Sequence, residues 1–122
     1  MIYVRNKQKA YGKQNLVEGV LHQGDRVLIV EDIINFGTSS LANVHTVRDM
    51  GGIVTTCVSI GNYEQKEAQD QFKKSNVSLF AMITVREVIE IAHALQLISK
   101  TEFESTIDWL REPKGWLERQ GK

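Results

Sequence analysis

An apolar run that ends in two acids and passes at once into a helical pattern constrains this chain more than any other feature. It reads RVLIVEDIINFGTSSLANV, residues 26–44. Residues 27–30 are aliphatic and mostly β-branched, the composition expected for a strand covered on both faces. After Gly37 the period changes, because apolar residues recur at helical spacing, namely Leu41, Val44, Val47 and Met50. The stretch therefore predicts a strand that turns sharply into a helix.

The same alternation of strand and helix continues along the chain. Residues 53–60 and 77–83 predict two further buried strands, and residues 63–74 predict a polar helix between them. Alternating strands and helices indicate βαβ units with right-handed crossovers. We therefore expect an α/β fold, with a mostly parallel sheet and flanking helices.

Two Thr-x-x-Glu pairs predict the starts of two later helices. Thr84 with Glu87, and Thr101 with Glu104, have the spacing of a capping box. We expect the first of these helices to bury one apolar face against the rest of the domain. That face is formed by Val85, Val88, Ile89, Ala92 and Leu95.

Length, charge and metal-ligand spacing exclude several classes of protein. A chain of 122 residues suits one domain. Its 15 basic and 15 acidic residues cancel, so no net charge attracts it to nucleic acid or a membrane. The single cysteine, Cys57, excludes an internal disulfide and fits a reducing, cytoplasmic setting. His22 and His93 lack partners at metal-ligand spacing, so no protein-held zinc is expected. No apolar stretch approaches membrane-spanning length, and we predict neither nucleic acid nor membrane as a partner.

The corner after residues 27–30 has the chemistry of a site for a phosphate-bearing ligand. Glu31 and Asp32 fall at the carboxyl end of a predicted strand, the edge at which such sheets bind ligands. Thr38, Ser39 and Ser40 then place hydroxyls and backbone N–H groups at a helix N-terminus, which favours an anion. The pattern also allows a simpler interpretation, in which a serine is only the N-cap and the acids are a solvated strand end.

Several segments resemble one enzyme family. The segment IVEDIINFGTSS resembles the phosphoribosyl-diphosphate loop of type I phosphoribosyltransferases, in which two acids precede a short phosphate-binding turn. YVRNKQKAYG, residues 3–12, resembles the mobile-loop motif of orotate phosphoribosyltransferases. NLVEG, GDRVLIVED and WLREPKGW are similar to segments of the same family. The resemblance covers nearly the whole chain, and the pairing of acidic and basic loops is its most specific part.

This resemblance implies a single partial type I phosphoribosyltransferase-like domain over residues 1–122. Residues 1–25 would form a strand, a mobile basic loop and a return strand, residues 26–98 the phosphate-loop core, and residues 99–122 the C-terminal helix. Family members carry an N-terminal portion before the YVR strand, which this sequence lacks. Residues 27–30 would then have no neighbouring strand on one side, which leaves an apolar edge open to another chain.

The implied reaction transfers a phosphoribosyl group from 5-phosphoribosyl 1-diphosphate to orotate, giving orotidine 5′-phosphate and pyrophosphate in pyrimidine synthesis. Mg²⁺ is the implied cofactor, and a homodimer with shared active sites is the implied assembly. Glu31 and Asp32 would hold the ribose hydroxyls, and Asp32 and Lys9 are the implied catalytic residues. Residues 35–39 would cradle the 5′-phosphate, and Asn35 would also contact orotate. The residues implied to bind phosphoribosyl diphosphate are Arg5, Lys9, Tyr11, Glu31, Asp32, Ile33, Ile34, Asn35, Phe36, Gly37, Thr38 and Ser39.

Four positions depart from the family pattern. Asn35 stands where Thr or Ser is usual, Tyr11 where His is common, and Asn62 where many members have Arg. Phe36 replaces a small residue: its ring would block phosphate if it pointed into the corner, and would leave the N–H groups usable if it pointed outward. These departures leave an alternative open, a catalytically degenerate relative that binds phosphoribosyl diphosphate or a nucleotide as a regulator. We expect little turnover from the isolated chain.

Overall fold

A computed structural model describes residues 1–5 and 17–121 of the chain. The predicted basic loop, with Lys9 and Tyr11, lies outside these residues. The elements are β1 (Tyr3–Val4), β2 (Val17–Glu18), β3 (Arg26–Ile34), α1 (Thr38–Asp49), β4 (Ile53–Asn62), α2 (Lys66–Lys74), β5 (Ser78–Thr84), α3 (Val85–Ala94), α4 (Lys100–Arg111) and α5 (Trp116–Arg119).

The central sheet is parallel, as the alternation of elements predicts. Its strand order is β3-β4-β5, and β1 and β2 form a separate antiparallel pair. Ile29 of β3 lies in register with Cys57 of β4, which lies in register with Leu79 of β5. Within the described residues β3 pairs only with β4, so one edge of this strand is open, as the resemblance implies.

One face of the sheet carries the core. Side chains of β3 and β4 pack there against the apolar stripe of α1 and against Phe72 of α2, which is 1% exposed. The predicted spacing in α1 is confirmed for Leu41, Val44 and Val47, which are all buried. Met50, the C-cap, is exposed, because the helix ends before its side chain can join the buried stripe. The core cluster consists of Ile29, Ile34, Leu41, Val44, Val47, Val54, Cys57, Ala68, Phe72 and Val77.

The opposite face of the sheet is exposed, so the prediction of strands covered on both faces is wrong for these residues. Val30 of β3 is 72% exposed and Phe80 of β5 is 61% exposed. Val58 lies in register with both of them, so the three side chains form an apolar row across the sheet. Leu28 and Met82 extend this open face. A continuous apolar run indicates that both faces of a strand are to be covered. It does not indicate whether the covering residues belong to the described part of the chain.

The apolar face predicted for α3 is not buried either. No residue of α3 is buried, and Val88 and Leu95 are exposed, while Ile89 and Ala92 are half-buried. The helix packs instead against α4, where the ring of His93 stacks on that of Phe103 with centroids 4.6 Å apart. The sequence period located the apolar stripe correctly, but it could not identify what the stripe contacts.

One predicted capping box is confirmed and the other is displaced. Glu87 N–H donates to Thr84 Oγ1 at 3.1 Å, and Thr84 N–H donates to Glu87 Oε2 at 2.7 Å. The second box is formed by Ser99 and Glu102, and not by Thr101 and Glu104. Both pairs have the same spacing, and α4 begins two residues earlier than the sequence pattern suggested.

Candidate functional site

The carboxyl end of β3 is joined to the first turn of α1 by a charged hydrogen bond. Ser40 Oγ donates to Glu31 Oε1 at 2.8 Å, and Ser40 is only 2% exposed. Glu31 is half-buried and lies in register with Ser59 of β4. The second carboxylate oxygen of Glu31 is therefore the one available to a ligand that reaches this corner.

Asp32 is placed differently from Glu31. Successive side chains of a strand point to opposite faces, so the two acids diverge. Asp32 is exposed, and its Oδ1 accepts a hydrogen bond from the N–H of Ile33 at 2.6 Å. The structure thus brings Glu31 to the helix start and leaves the carboxylate of Asp32 facing solvent at the strand end.

Gly37 makes the turn between β3 and α1 and serves as the N-cap of the helix. Its φ is 74°, in the left-handed region that glycine adopts without steric cost. A Cβ at this position would lie 2.6 Å from Cε2 of the buried Phe72 ring. No side-chain cap hydrogen bond is present, and Ser40 binds Glu31 instead. The interpretation of a serine as a mere N-cap is therefore wrong.

The start of α1 has the properties of an anion site. Thr38 and Ser39 are exposed, and the first helical bond runs from Leu41 N–H to the carbonyl of Gly37 at 2.9 Å. The N–H groups of the preceding helical residues have no partner within the helix, which is general for a first turn. With no side chain capping them, these groups and the two hydroxyls can all donate to one bound anion.

Phe36 contacts the C-terminal segment of the chain. Lys114 Nζ lies 5.7 Å from the centroid of the half-buried Phe36 ring. The same Nζ binds Glu67 Oε2, near the start of α2, at 2.7 Å. This contact favours the outward orientation of the ring, in which the backbone N–H groups of the turn stay usable.

Asn35 has an unsatisfied polar atom beside this turn. Its Oδ1 is buried and has no hydrogen-bond partner among the described residues. Buried acceptors without a partner are uncommon and costly, and a bound ligand is one way in which they are satisfied. Ile33, by contrast, is exposed, and Ile34 belongs to the core, where its carbonyl accepts from Tyr63 N–H.

Arg5 is the one predicted basic ligand within the described residues. It is half-buried and forms an ion pair with Glu18 of β2. No hydrogen bond or ion pair joins Arg5 to the corner in residues 1–5 and 17–121. The structure therefore assembles Glu31, Asn35, Thr38 and Ser39 at one strand end, and places Arg5 on the β1–β2 ribbon.

Sequence reasoning missed Ser59, which lies in register with Glu31, whereas the burial of Cys57 follows from its apolar strand context. The hydroxyl of Ser59 is buried without a partner among the described residues, and Cys57 is fully buried on the same strand. Burial raises the pKa of the Cys57 thiol to about 11, and the negative charge of Glu31 adds to the shift. The third hydroxyl of the Thr-Ser-Ser row was the only signal for Ser40, and nothing in the sequence distinguished Ser59.

Neither a metal cluster nor a membrane span is found in the part of the chain that the structure describes. No group of three or more His, Cys, Asp or Glu side chains there could hold a metal ion. None of its helices combines the length and apolar character that crossing a bilayer requires. A divalent ion at the corner would therefore need ligands from the substrate as well as from the protein.

Curated relatives share most of this chain. No protein-family model matches it. It is 39% identical over 116 residues to an orotate phosphoribosyltransferase of Coxiella burnetii, which covers 95% of this chain and 56% of that relative. It is 38% identical over 109 residues to an orotate phosphoribosyltransferase of Staphylococcus saprophyticus, which covers 89% of this chain and 54% of that relative. The chain thus spans about half the length of the curated relatives it matches.

Solved structures share the fold. The structure of Leishmania donovani UMP synthase matches 89% of this chain and 23% of its own, with a TM-score of 0.73 at 21% identity. At that identity the likeness concerns the fold alone. The orotate phosphoribosyltransferase of Mycobacterium tuberculosis, in complex with Fe(III) dicitrate, matches 69% of this chain and 47% of its own. Its TM-score is 0.60 at 32% identity.

Proposed function

We propose, from the premise that this chain belongs to the orotate phosphoribosyltransferase family, that it forms the phosphoribosyl-diphosphate-binding part of such an enzyme. The complete enzyme would be a pentosyltransferase that joins the phosphoribosyl group to orotate in pyrimidine nucleotide synthesis. The observation that carries the proposal is the uncapped start of α1, held against β3 by the bond from Ser40 to Glu31. That arrangement places N–H and hydroxyl donors beside a carboxylate.

The 5′-phosphate would bind at the start of α1. The exposed hydroxyls of Thr38 and Ser39 and the free N–H groups of the first turn are all donors, and the helix dipole favours negative charge there. Gly37 keeps the turn tight because a larger residue would meet Phe72. The phosphate thereby fixes the position of the ribose relative to the end of β3.

The ribose hydroxyls would donate to the acids. Glu31 has one oxygen bound by Ser40 and the other available, and Asp32 presents an exposed carboxylate at the same strand end. The unsatisfied Oδ1 of Asn35 can accept from a third donor, on the ribose or on orotate. Asp32 would take part in proton transfer during the reaction.

The site fits a magnesium ion that arrives with the diphosphate. Mg²⁺ in such sites is held by one or two carboxylates together with phosphate oxygens and water, and the described residues offer two acids but no larger cluster. Glu31, the acid that lies at the helix start, is the residue that would face it. The bound ion would neutralise charge on the departing pyrophosphate.

Residues and partners beyond this corner would complete the site. Arg5, Lys9 and Tyr11 would contact the pyrophosphate, with Lys9 stabilising its charge as a catalytic residue. These contacts would come from the neighbouring subunit of a homodimer, because the family shares its active sites in this way. The enzyme would work in the cytoplasm, without nucleic acid or membrane.

A second function is favoured by one observation. Phe36, whose ring lies near Lys114, stands in the phosphate turn where the family has a small residue. A relative that binds phosphoribosyl diphosphate or a nucleotide without turnover would tolerate such a change. That protein would act as a regulator.

Titration of the chain with phosphoribosyl diphosphate and Mg²⁺, with and without orotate, tests both functions. We expect saturable heat of binding, weakened by about 10-fold in Asp32→Asn, because one charged hydrogen bond is lost. Asp49→Asn, at the other end of α1, is the matched control and should bind as the wild type does. Release of pyrophosphate with orotate, or binding that orotate strengthens, supports the enzyme. Binding without release that orotate leaves unchanged supports the regulator. Absence of saturable binding would overturn both.

A further inference from the structure

The C-terminal segment, residues 109–114, packs against the loop between β4 and α2. The rings of Trp109 and Tyr63 meet edge to face, with their centroids 5.8 Å apart. Nε2 of the buried Gln65 donates to the carbonyl of Leu110 at 3.2 Å. Breaking such a bond would leave buried polar groups without partners, which is costly. One aromatic contact and one buried hydrogen bond therefore fix this segment on the loop.

The same loop is joined to the turn between β3 and α1. Tyr63 N–H donates to the carbonyl of Ile34, the last residue of β3, at 2.9 Å. Three residues further on, Gly37 lies against α2, since a Cβ there would be 3.6 Å from the Cβ of Ala68. The turn and the C-terminal segment therefore contact the same loop and the helix that follows it, which places them close together in the fold.

Lys114 lies between an acid of α2 and an aromatic ring of the turn. Its Nζ is 2.7 Å from Oε2 of Glu67, in the first turn of α2, and 5.7 Å from the centroid of the Phe36 ring. An ammonium within about 6 Å of a ring centroid is attracted to the face of that ring. Both charged side chains are at least half exposed, so the ion pair itself adds little stability. Its consequence is the position of the ammonium beside Phe36.

The position of the Phe36 ring decides whether an anion can reach the start of α1. The ring is half-buried, whereas Thr38 and Ser39, which carry the donor hydroxyls, are exposed. Side chains occupy a few staggered rotamers, so a phenyl group has more than one place to lie. A ring turned into the corner covers the first-turn donors, and a ring against Lys114 leaves them open. Lys114 is the one cation found over this ring in residues 1–5 and 17–121.

We propose that Lys114 is a positioning residue for phosphate binding. Together with Glu67 it retains the Phe36 ring outside the corner, so that the phosphate of a ligand reaches the donors at the start of α1. Lys114 acts through the ring and does not itself bind the phosphate. This inference rests on the proposed function, because it takes the start of α1 as the phosphate site. It gives the C-terminal segment a part in ligand binding.

A double-mutant cycle on the 122-residue chain tests the proposal, with phosphoribosyl diphosphate and Mg²⁺ as the probe and calorimetry as the measurement. We expect Lys114→Met to weaken binding about 3-fold, the change that matches one exposed cation–π contact. Lys114→Arg should bind as the wild type does, because a guanidinium also stacks on a ring and pairs with a carboxylate. In a Phe36→Ala chain, Lys114→Met should have no further effect, because no ring remains to be positioned.

The matched control is Lys100→Met, which removes the same charge at a distance from the turn. Lys100 is also an exposed lysine in an ion pair, with Glu104 at 3.7 Å, and its loss should leave binding unchanged. Equal weakening by Lys114→Met with and without Phe36 would overturn the proposal, since the lysine would then act on the phosphate directly. Equal affinities of the wild type and Lys114→Met would overturn it too.

Nuclear Overhauser effects observe the ring without any ligand. In the wild type we expect contacts between the Phe36 ring protons and the ε-methylene of Lys114. In Lys114→Met the ring should contact the methyl group of Thr38 instead, and unchanged ring contacts would overturn the inference alone. If the wild type has the expected ring contacts but neither it nor Phe36→Ala binds phosphoribosyl diphosphate, the proposed function fails and the inference fails with it.

Discussion

Ser40 donates from Oγ to Oε1 of Glu31 across 2.8 Å, so one charge-assisted contact joins the end of β3 to the start of α1. The serine is buried and the acid is half-buried, so the bond is shielded from water on the serine side. Its role is thus positional: it fixes the direction of the Glu31 carboxylate and the distance between strand and helix. The stability of the corner should depend on it.

Replacing Ser40 by alanine should lower the free energy of unfolding by about 1.5–3 kcal/mol, the range for a hydrogen bond to a charged group. The loss arises because Glu31 keeps its desolvation without its partner. Ser39→Ala is the control, since Ser39 is exposed, and it should change stability by less than about 0.5 kcal/mol. Urea unfolding measures both, and equal effects of the two substitutions would contradict the role assigned to Ser40.

Gly37→Ala should destabilise the fold more than Gly24→Ala does. Both glycines have positive φ, at 74° and 85°, so alanine is strained at either position by about 1–2 kcal/mol. Only at Gly37 would the new Cβ meet another group, the buried ring of Phe72 at 2.6 Å, whereas nothing lies within 4 Å at Gly24. Overpacking should add about 1–3 kcal/mol. Thermal or urea unfolding gives the free energy of unfolding of each variant, and the difference between the two is the steric contribution of Phe72. Equal values would contradict that contribution.

Stability should fall as the pH rises from about 9 toward 11, through the titration of Cys57. Burial, and secondarily the charge of Glu31, raises the pKa of this thiol from 9.0 to about 11 in the folded chain. Below pH 9 the thiol is protonated in both the folded and the unfolded chain, so its contribution to stability is fully present. Between the two values only the unfolded chain releases it, and the free energy of unfolding drops by up to about 1.4 kcal/mol per pH unit.

The control for this pH dependence is Cys57→Ala, in which the thiol contribution disappears while other alkaline titrations remain. Urea unfolding at several pH values between 8 and 11 gives the difference between the two proteins. That difference should shrink as the pH rises, because the wild type loses the thiol contribution. A difference independent of pH would mean that the thiol has an ordinary pKa in the folded chain.

The periodicity of the sequence was sufficient to predict the helices and strands, but it did not predict which residues cover them. The stripe of Leu41, Val44 and Val47 identified α1, because helical spacing is a property of the chain itself. The exposure of Val30 and Phe80 could not be predicted, because apolar strands have the same composition whether or not their own chain covers them. The divergence of Glu31 and Asp32 follows from strand geometry, whereas the bond from Ser40 depends on how α1 docks against β3.

Two pairs with the same sequence spacing, Ser99 with Glu102 and Thr101 with Glu104, should differ in their effect on stability, because only the first caps α4. Ser99 is the N-cap of α4, with Ser99 N–H donating to Glu102 Oε2 at 2.8 Å, and Ser99→Ala should cost about 1 kcal/mol of unfolding free energy. Thr101 lies within the exposed first turn, so Thr101→Ala should be neutral or slightly stabilising because alanine favours helix.

The pKa of Glu102 is lowered from 4.5, first by the hydrogen bond from the backbone N–H of Ser99 and then by the one from its hydroxyl. The cap therefore contributes above pH 4.5 and weakens as the pH falls through the folded pKa, so the deficit of Ser99→Ala should narrow in acid. Urea unfolding at pH 7 and pH 3 measures this, and a larger loss from Thr101→Ala would place the helix start where the sequence pattern first suggested.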